Sequence, residues 1–158
     1  VRAILKAERC MLNFLMRLCG IAANARNAVK RLPAGCKARV VDTRKTTPGW
    51  RLLEKAAVRT GGASNHRFGL FDGVLIKDNH IEAAGSVQEA VRRVRARTRM
   101  PVEVELEASG GITLERIAAV ARTGVQWISM GALTHTVVPA DLSLELWGCT
   151  RGTISREA

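Results

Sequence analysis

The sequence has few aromatic residues and no long apolar run. Aromatic side chains make up 4% of its 158 residues, and no stacking motif accompanies them, so a nucleic-acid partner is not expected. No apolar stretch approaches the roughly 18 residues of a membrane-spanning helix, and no basic-then-apolar leader opens the chain. We therefore expect a cytoplasmic protein without a membrane partner. Hydrophobic residues still make up 47%, enough to form a core.

Cysteine is scarce, and its spacing argues against two common uses. The chain contains no CxxC pair and no Cys/His cluster at metal-ligand spacing. We expect neither a disulfide framework nor a zinc site, and no side chain is predicted to ligate a metal. The cysteines concerned are Cys10, Cys19, Cys36 and Cys149.

Acidic residues are also few. The 14 Asp and Glu stand against 25 Lys and Arg, which leaves a formal net charge of +11 and favours an anionic partner. Five arginines lie close together in one predicted helix, and we interpret them as a solvated helix face. They are Arg92, Arg93, Arg95, Arg97 and Arg99.

Helical and strand patterns alternate along the chain after a first helix. The predicted helices are Ile4 to Val29, Trp50 to Arg59 and Ala84 to Thr98, with Gly20 marking a break or a close packing point in the first. The predicted strands are Ala38 to Asp42, Val74 to Ile76, Val102 to Leu106, Val125 to Met130 and a last one marked by Leu142, Leu144 and Leu146.

This alternation predicts an α/β fold with parallel βα repeats, in a barrel-like or doubly wound sheet. Residues 1–36 form a helical segment that leads into it, residues 37–147 form the barrel-like domain, and residues 148–158 form a polar tail. Ligands gather at the carboxyl ends of such strands. Polar residues and glycines follow each predicted strand: Thr43 to Lys45, Lys77, Glu105 with Ser109, and Gly131.

Three clusters carry the chemistry. DTRKTTPG (42–49) places two cations beside three hydroxyls, GGASNHR (61–67) adds two further donors, and VLIKDNHI (74–81) places Lys77 at a strand end. Arginine binds a carboxylate with two parallel hydrogen bonds, and lysine supplies a compact charge for phosphate. A lysine within an apolar framework also predicts a compensating anion. Alone, the first cluster is equally well a basic loop with capping threonines, and the His66-Arg67 pair of the second is more often an ordinary surface feature. The three clusters together are hard to explain as surface loops.

Together the clusters resemble the core signature of quinolinate phosphoribosyltransferase, in order and with family-like spacing. AERCMLNFLMRLCGIA upstream, and VEVE, EASGGIT and ISMGALTH downstream, are also similar to that family. The resemblance implies an α/β barrel that transfers phosphoribose from phosphoribosyl pyrophosphate to quinolinate in NAD biosynthesis, with Mg²⁺ as cofactor. It also implies a homodimer or higher homo-oligomer.

The resemblance assigns roles residue by residue. Arg44, His66, Arg67 and Lys77 match quinolinate-binding residues, and Arg9 matches an arginine given to the neighbouring active site. Lys45 and Lys77 match contacts to phosphoribosyl pyrophosphate. Lys77 and Glu105 are the expected catalytic residues, with Glu105 near the ribose hydroxyls. Ser109, Gly110, Gly111 and Gly131 match contacts to the ribose 5-phosphate.

The sequence departs from the family pattern in two places. From the resemblance we expect the family's N-terminal α/β domain to be missing, and residues 102–112 read VEVELEASGGI, which fuses two motifs that belong to different family strands. The resemblance therefore predicts an incomplete or open barrel, without the family's Leu-Asp-Asn strand end and with Glu105 standing for either strand. The alternatives are an inactive relative that binds anions or a full-length partner, a relative from molybdenum-transport operons, and a basic nucleic-acid-binding domain.

Overall fold

The structure, a computed structural model, describes residues 1–100, 102–104, 113–123 and 126–145. Helices and parallel strands alternate along them after a long first helix, which confirms the α/β class. The helices are α1 (Arg2–Lys30), α2 (Arg51–Thr60), α3 (Asp78–Ala84), α4 (Val87–Arg95), α5 (Ile117–Arg122) and α6 (Ala132–His135), with a 3₁₀ turn at Leu114–Arg116. The strands are β1 (Arg39–Val41), β2 (Val74–Ile76), β3 (Val102–Val104) and β4 (Trp127–Ser129).

All the strand pairings described are parallel. β1 pairs with β4, with Val41 opposite Ser129, and β2 pairs with β3. An isolated parallel bridge joins Val41 to Ser64 on a further segment. Within the described residues the two sheets share no strand, in agreement with the predicted open barrel. Because parallel strands point the same way, the loops after β1 and β4 emerge at one edge.

The core lies between the second half of α1, α2 and the β1–β4 sheet. Small and branched apolar side chains fill it. Their burial is expected to stabilise the fold by roughly 25 cal/mol for each Å² of apolar surface removed from water. None of the helices described combines the length and apolar character of a membrane span. The core residues include Ile21, Ala25 and Ala28 of α1, Ala57 and Val58 of α2, Val40 of β1 and Ile128 of β4.

Glycines allow α1 to pack closely against its neighbours. α1 runs unbroken through Gly20, so the predicted break is wrong, whereas the predicted close packing is confirmed. A Cβ atom on Gly20 would collide with the carbonyl oxygen of Val138. On α2, the C-cap Gly61 similarly lies against the carbonyl oxygen of Ala22. Side chains at either glycine would force the elements apart.

Two predicted elements differ from those observed. The helix predicted from Ala84 begins at Val87, because Gly85 ends α3 with φ 87° and the Ser86 hydroxyl accepts a hydrogen bond from Glu89 N at 3.2 Å. The predicted last strand is also wrong for residues 141–145, which form no strand. Leu146 lies outside the described residues. Alternation alone does not make a strand without a pairing partner.

Candidate functional site

The loops after β1 and β4 come together at the carboxyl edge of their sheet. The Met130 amide donates to the carbonyl oxygen of Val41 at 3.0 Å, which extends the pairing beyond the strands. A Cβ atom on Gly131 would lie 3.0 Å from Cδ of Lys45 and 3.0 Å from the ring of His135. Lys45 and Gly131, predicted separately, are thus neighbours. Glycine leaves room there for a lysine chain and a close backbone approach.

His135 is a candidate that the sequence prediction did not include. Its ring lies against Gly131, and its Nδ1 lies 2.9 Å from the Thr136 hydroxyl. The residue is exposed. It stands four positions after a glycine at a strand end, in ISMGALTH, and this position on the first turn of a short helix was the available signal.

The segment that carries His66 and Arg67 runs beside β1. The Ser64 amide donates to the Val40 carbonyl at 2.9 Å, and the Asp42 amide donates to the Ser64 carbonyl at 3.2 Å. These bonds continue in the direction of the Val41–Ser64 bridge. His66 and Arg67 therefore follow the same edge as the loop after β1.

Asp42 and Lys55 form a buried ion pair beneath that segment. Lys55 Nζ lies 2.6 Å from Asp42 Oδ1, and the two side chains are 3% and 0% exposed. Burial raises the pKa of Asp42 above its ordinary value of 3.8, against the lowering effects of Lys55 and of the His66 amide. Removing one partner of such a pair typically costs roughly 3–5 kcal/mol, because the other charge stays buried.

A second buried charge, Glu54, fixes the loop after β1. Its Oε1 accepts from Arg17 Nε at 2.9 Å and from the Thr47 hydroxyl at 2.8 Å. Its Oε2 accepts from the Thr47 amide at 3.2 Å. Glu54 is fully buried, while 29% of the Arg17 side chain is exposed. Helix α2 thus holds the loop through a carboxylate whose oxygens all have donors.

Thr134 of α6 ties the loop after β1 to the end of β4. Its buried hydroxyl donates to the Lys45 carbonyl at 2.7 Å, and its own carbonyl accepts from Arg17 Nη2 at 3.0 Å. Arg17 Nη2 also donates to the Thr47 hydroxyl at 2.7 Å. Arg17, Glu54 and Thr134 were not predicted. Glu54 shares the buried face of α2 with Ala57 and Val58, at helical spacing, and this was the available signal.

Arg44, Arg67 and His66 also lie around this edge, and they differ in exposure and in their hydrogen-bond partners. Arg44 is exposed, and its carbonyl accepts from Arg51 Nη2 at 3.3 Å. Arg67 is half-buried and donates from Nη1 to the Gly73 carbonyl at 3.1 Å. His66 is half-buried, and its amide donates to Asp42 Oδ1 at 2.8 Å. The site thus presents several cations and few carboxylates among its described residues.

Lys77 and Arg9 stand apart from this group of described contacts. Lys77 follows β2 in the other sheet and precedes α3, where its amide donates to His80 Nδ1 at 2.9 Å. Lys77 is exposed, and the expectation of a compensating anion stays a prediction. Arg9 is exposed on the first half of α1. Four predicted residues lie outside the described residues: Glu105, Ser109, Gly110 and Gly111.

The described residues do not fit a protein-held metal ion. No three His, Cys, Asp or Glu side chains within them lie close enough together to ligate one. Mg²⁺ commonly keeps several waters and binds through substrate phosphates with only one or two carboxylates.

A cavity of about 350 Å³ lies elsewhere, between β2, α3 and α4. Its walls are largely apolar, with Ile76 and Val94 among them and His80 and Arg93 as polar members. It contains none of the predicted site residues.

The chain matches a family model described as the quinolinate phosphoribosyl transferase C-terminal domain. The match covers residues 21–107 and 99–145. Its two parts overlap at residues 99–107, which include the first part of the fused stretch 102–112. That overlap supports the predicted internal break.

Known proteins of this family are similar over nearly the whole chain. A probable nicotinate-nucleotide pyrophosphorylase [carboxylating] of Bacillus subtilis is 42% identical, over 91% of this chain and 64% of its own. The nicotinate-nucleotide pyrophosphorylase [carboxylating] of Mycobacterium leprae is 40% identical, over 92% of this chain and 66% of its own. The crystal structure of NadC from Streptococcus pyogenes has a TM-score of 0.84 at 36% identity, over 92% of this chain and 66% of its own.

The chain thus spans about two thirds of the length of these relatives, 64% in the Bacillus protein. The alignment with that protein covers 186 positions, more than the 158 residues available here, so the relative carries internal residues that this chain lacks. The matched regions include all three clusters and the loops after β1 and β4. The chain belongs to the quinolinate phosphoribosyl transferase family.

Proposed function

We propose that this chain is the catalytic portion of an enzyme of NAD biosynthesis. It would convert quinolinate and phosphoribosyl pyrophosphate into nicotinate mononucleotide, pyrophosphate and carbon dioxide. The observation that carries the proposal is the contact of Lys45 with Gly131 at the carboxyl edge of the β1–β4 sheet, beside the segment of His66 and Arg67. Cations and open backbone gathered there suit two anionic substrates.

The proposed division of work follows the chemistry of each group. Arg44 and Arg67 would grip the quinolinate carboxylates with paired hydrogen bonds, while His66 and Lys77 add further donors. Lys45 and Gly131 would hold phosphate oxygens of phosphoribosyl pyrophosphate. Within the matched motif, Ser109, Gly110 and Gly111 would complete the ribose 5-phosphate site.

The proposed reaction needs no side-chain nucleophile. The quinolinate ring nitrogen attacks the anomeric carbon, and the bond from that carbon to pyrophosphate breaks with its electron pair leaving on oxygen. Positive charge on the ribose would be stabilised by Glu105. The carboxylate at ring position 2 then leaves as carbon dioxide, and the electron pair left on that carbon takes up a proton. Mg²⁺ would enter with the pyrophosphate group of the substrate.

We further propose that the active assembly is a homo-oligomer, at least a dimer. Arg9 is exposed on α1, and large apolar side chains of the same half of α1, such as Leu5 and Leu15, are 51% and 50% exposed. Such a surface suits burial against a second copy. Arg9 would then serve the neighbouring site. The cytoplasmic location suggested by composition stays a prediction.

Turnover by the purified chain tests the enzymatic proposal. The chain is mixed with quinolinate carrying a labelled carboxylate at ring position 2, phosphoribosyl pyrophosphate and Mg²⁺, and release of carbon dioxide is followed. We expect release that depends on both substrates. Reactions without phosphoribosyl pyrophosphate, and reactions with nicotinate in place of quinolinate, provide the controls.

The alternative functions give different results. Measurable quinolinate binding without turnover would replace the enzyme with an anion-binding family member, and recovery of turnover on mixing with a full-length relative would identify a partner subunit. Preference for another pyridine or oxyanion over quinolinate would favour the molybdenum-operon relative. A steeply salt-dependent affinity for nucleic acid, not competed by quinolinate, would favour the binding domain.

A further inference from the structure

We infer that the buried Asp42–Lys55 ion pair positions the backbone of His66, and with it Arg67, at the ligand-binding edge. In this positioning role neither member of the pair contacts substrate. The inference rests on the proposed function for the identity of the ligand. Its structural part concerns only contacts within the chain.

The pair holds both backbone groups of one residue. Asp42 Oδ1 accepts from the His66 amide at 2.8 Å, and Lys55 Nζ donates to the His66 carbonyl at 3.2 Å. Nζ and Oδ1 are themselves joined at 2.6 Å. Acceptor, donor and peptide therefore form a closed arrangement, which fixes the position and tilt of His66 more tightly than one bond would.

The preceding residue is attached to the same pair. In the orientation of the Asn65 amide that satisfies its partners, its nitrogen donates to Asp42 Oδ2 and to the Lys55 carbonyl, both at 3.0 Å. Both oxygens of Asp42 are then used by the segment or by Lys55. The following residue, Arg67, is fixed at its far end by the Gly73 carbonyl.

Stability alone is a weak reason for this arrangement. Two charges removed from water seldom stabilise a fold more than apolar residues of the same volume, although they can specify one geometry. Here every described hydrogen bond of the two charged groups goes to the partner or to residues 65 and 66. Helix α2 packs on the core through Ala57 and Val58. Through the ion pair it thereby fixes the position of the His66–Arg67 segment relative to the core.

Two variants and one control test the inference in the full chain. Lys55→Met removes the ammonium group at nearly constant length. Asp42→Asn combined with Lys55→Met removes both charges, and it serves where the single variant does not fold. Val58→Ala, on the same helix and fully buried, destabilises the core without touching the pair. Amide hydrogen exchange at His66 and calorimetric titration with quinolinate and with inorganic phosphate are the measurements.

We expect exchange at the His66 amide to accelerate by about tenfold or more in both charge variants, while exchange at Met130 is unchanged, since local opening follows the lost bonds. Quinolinate affinity should fall by about tenfold, and phosphate affinity by less than about twofold. Val58→Ala should retain both affinities at a temperature where it is folded.

Three results would overturn the inference. One is unchanged exchange at His66 in both charge variants. Another is faster exchange with unchanged quinolinate affinity, and the third is an equal loss of affinity in Val58→Ala. If the parent chain itself binds no quinolinate, the proposed function fails, while the exchange measurement still decides whether the pair holds His66.

Discussion

Two neighbouring residues of α2, Glu54 and Lys55, are both buried and serve different loops. Glu54 accepts from the hydroxyl and amide of Thr47, whereas Lys55 donates to Asp42 and His66. One helical turn thus fixes the loop that presents Arg44 and Lys45 and also the segment that presents His66. Buried charge of this kind is costly unless every group is satisfied, and each described buried side-chain polar atom has a partner.

Arg44, which is exposed, and Arg67, which donates to the Gly73 carbonyl, should both contribute to dicarboxylate binding. We expect Arg44→Ala or Arg67→Ala to weaken quinolinate binding by about 1.5–3 kcal/mol, the range for a lost charge-assisted hydrogen bond. Isothermal titration of each variant measures the change. Arg59→Ala, which removes one exposed positive charge from the last turn of α2, is the control for net charge. Wild-type affinity in both site variants would contradict the assignment.

The residues proposed to contact a ligand carry a clearer sequence signal than the residues that support them. Arg44 and Lys45 follow a strand and His66 and Arg67 follow a helix, each pair in a polar cluster that indicates a site. Glu54 and Lys55 lie in a helix whose sequence, RLLEKAAVRT, gives the charge pattern of an ordinary amphipathic surface. Their burial depends on α1 and on the loop after β1 packing over them, which a local pattern does not contain.

At the scale of elements, the predictions succeeded where neighbouring elements agree with local preference. β2 has the predicted ends, Val74–Ile76, and α2 begins and ends within one residue of its prediction. The predicted helix from Ala84 began too early, at the last residue of α3, because it did not account for the turn at Gly85 and Ser86 that separates α3 from α4. Residues 141–145 alternate like a strand but have none to pair with among the described residues.

The close contact of α1 with α2 predicts a specific sensitivity at Gly61. In Gly61→Ala, the new methyl group would lie 2.6 Å from Cβ of Ala25 and would collide with the Ala22 carbonyl. We expect the free energy of unfolding to fall by about 1–3 kcal/mol, as in overpacked cores, measured by urea denaturation. Ala23→Ser, at an exposed position of α1, should change it by less than about 0.5 kcal/mol. Equal stability of Gly61→Ala and the parent would show that the helices have room to move.

At the scale of the whole molecule, the described strands form two separate pairs. Two-stranded sheets are marginal by themselves, and unpaired parallel edges invite association. The β1–β4 pair gains its stability from α1, α2 and α5, which cover it with the main core cluster. β2 and β3 pack against α4, and an apolar cavity lies between β2, α3 and α4. We therefore expect the β2–β3 pair to be the less stable of the two.

Restoring the internal segment should stabilise the β2–β3 pair. We expect insertion of the corresponding Bacillus subtilis residues within 105–108 to raise the melting temperature by roughly 4 °C or more, about 1–2 kcal/mol for a chain of this size. Calorimetry measures the shift, and size-exclusion chromatography measures any loss of aggregates. An insertion of equal length rich in Gly and Ser is the control. A similar rise in melting temperature with the control insertion would show that the stabilisation does not come from strand pairing by the restored segment.

The hydrogen bond from the Thr134 hydroxyl to the Lys45 carbonyl also bears on the order in which contacts form during folding. The two residues stand 89 positions apart, and Arg17, which holds the Thr134 carbonyl, stands 117 positions from it. Contacts of such long sequence separation form late, because the entropy of closing a long loop must be overcome first. A nascent chain has already made the cationic clusters long before Thr134 leaves the ribosome. We therefore expect the contact between the loops after β1 and β4 to form late as the polypeptide folds.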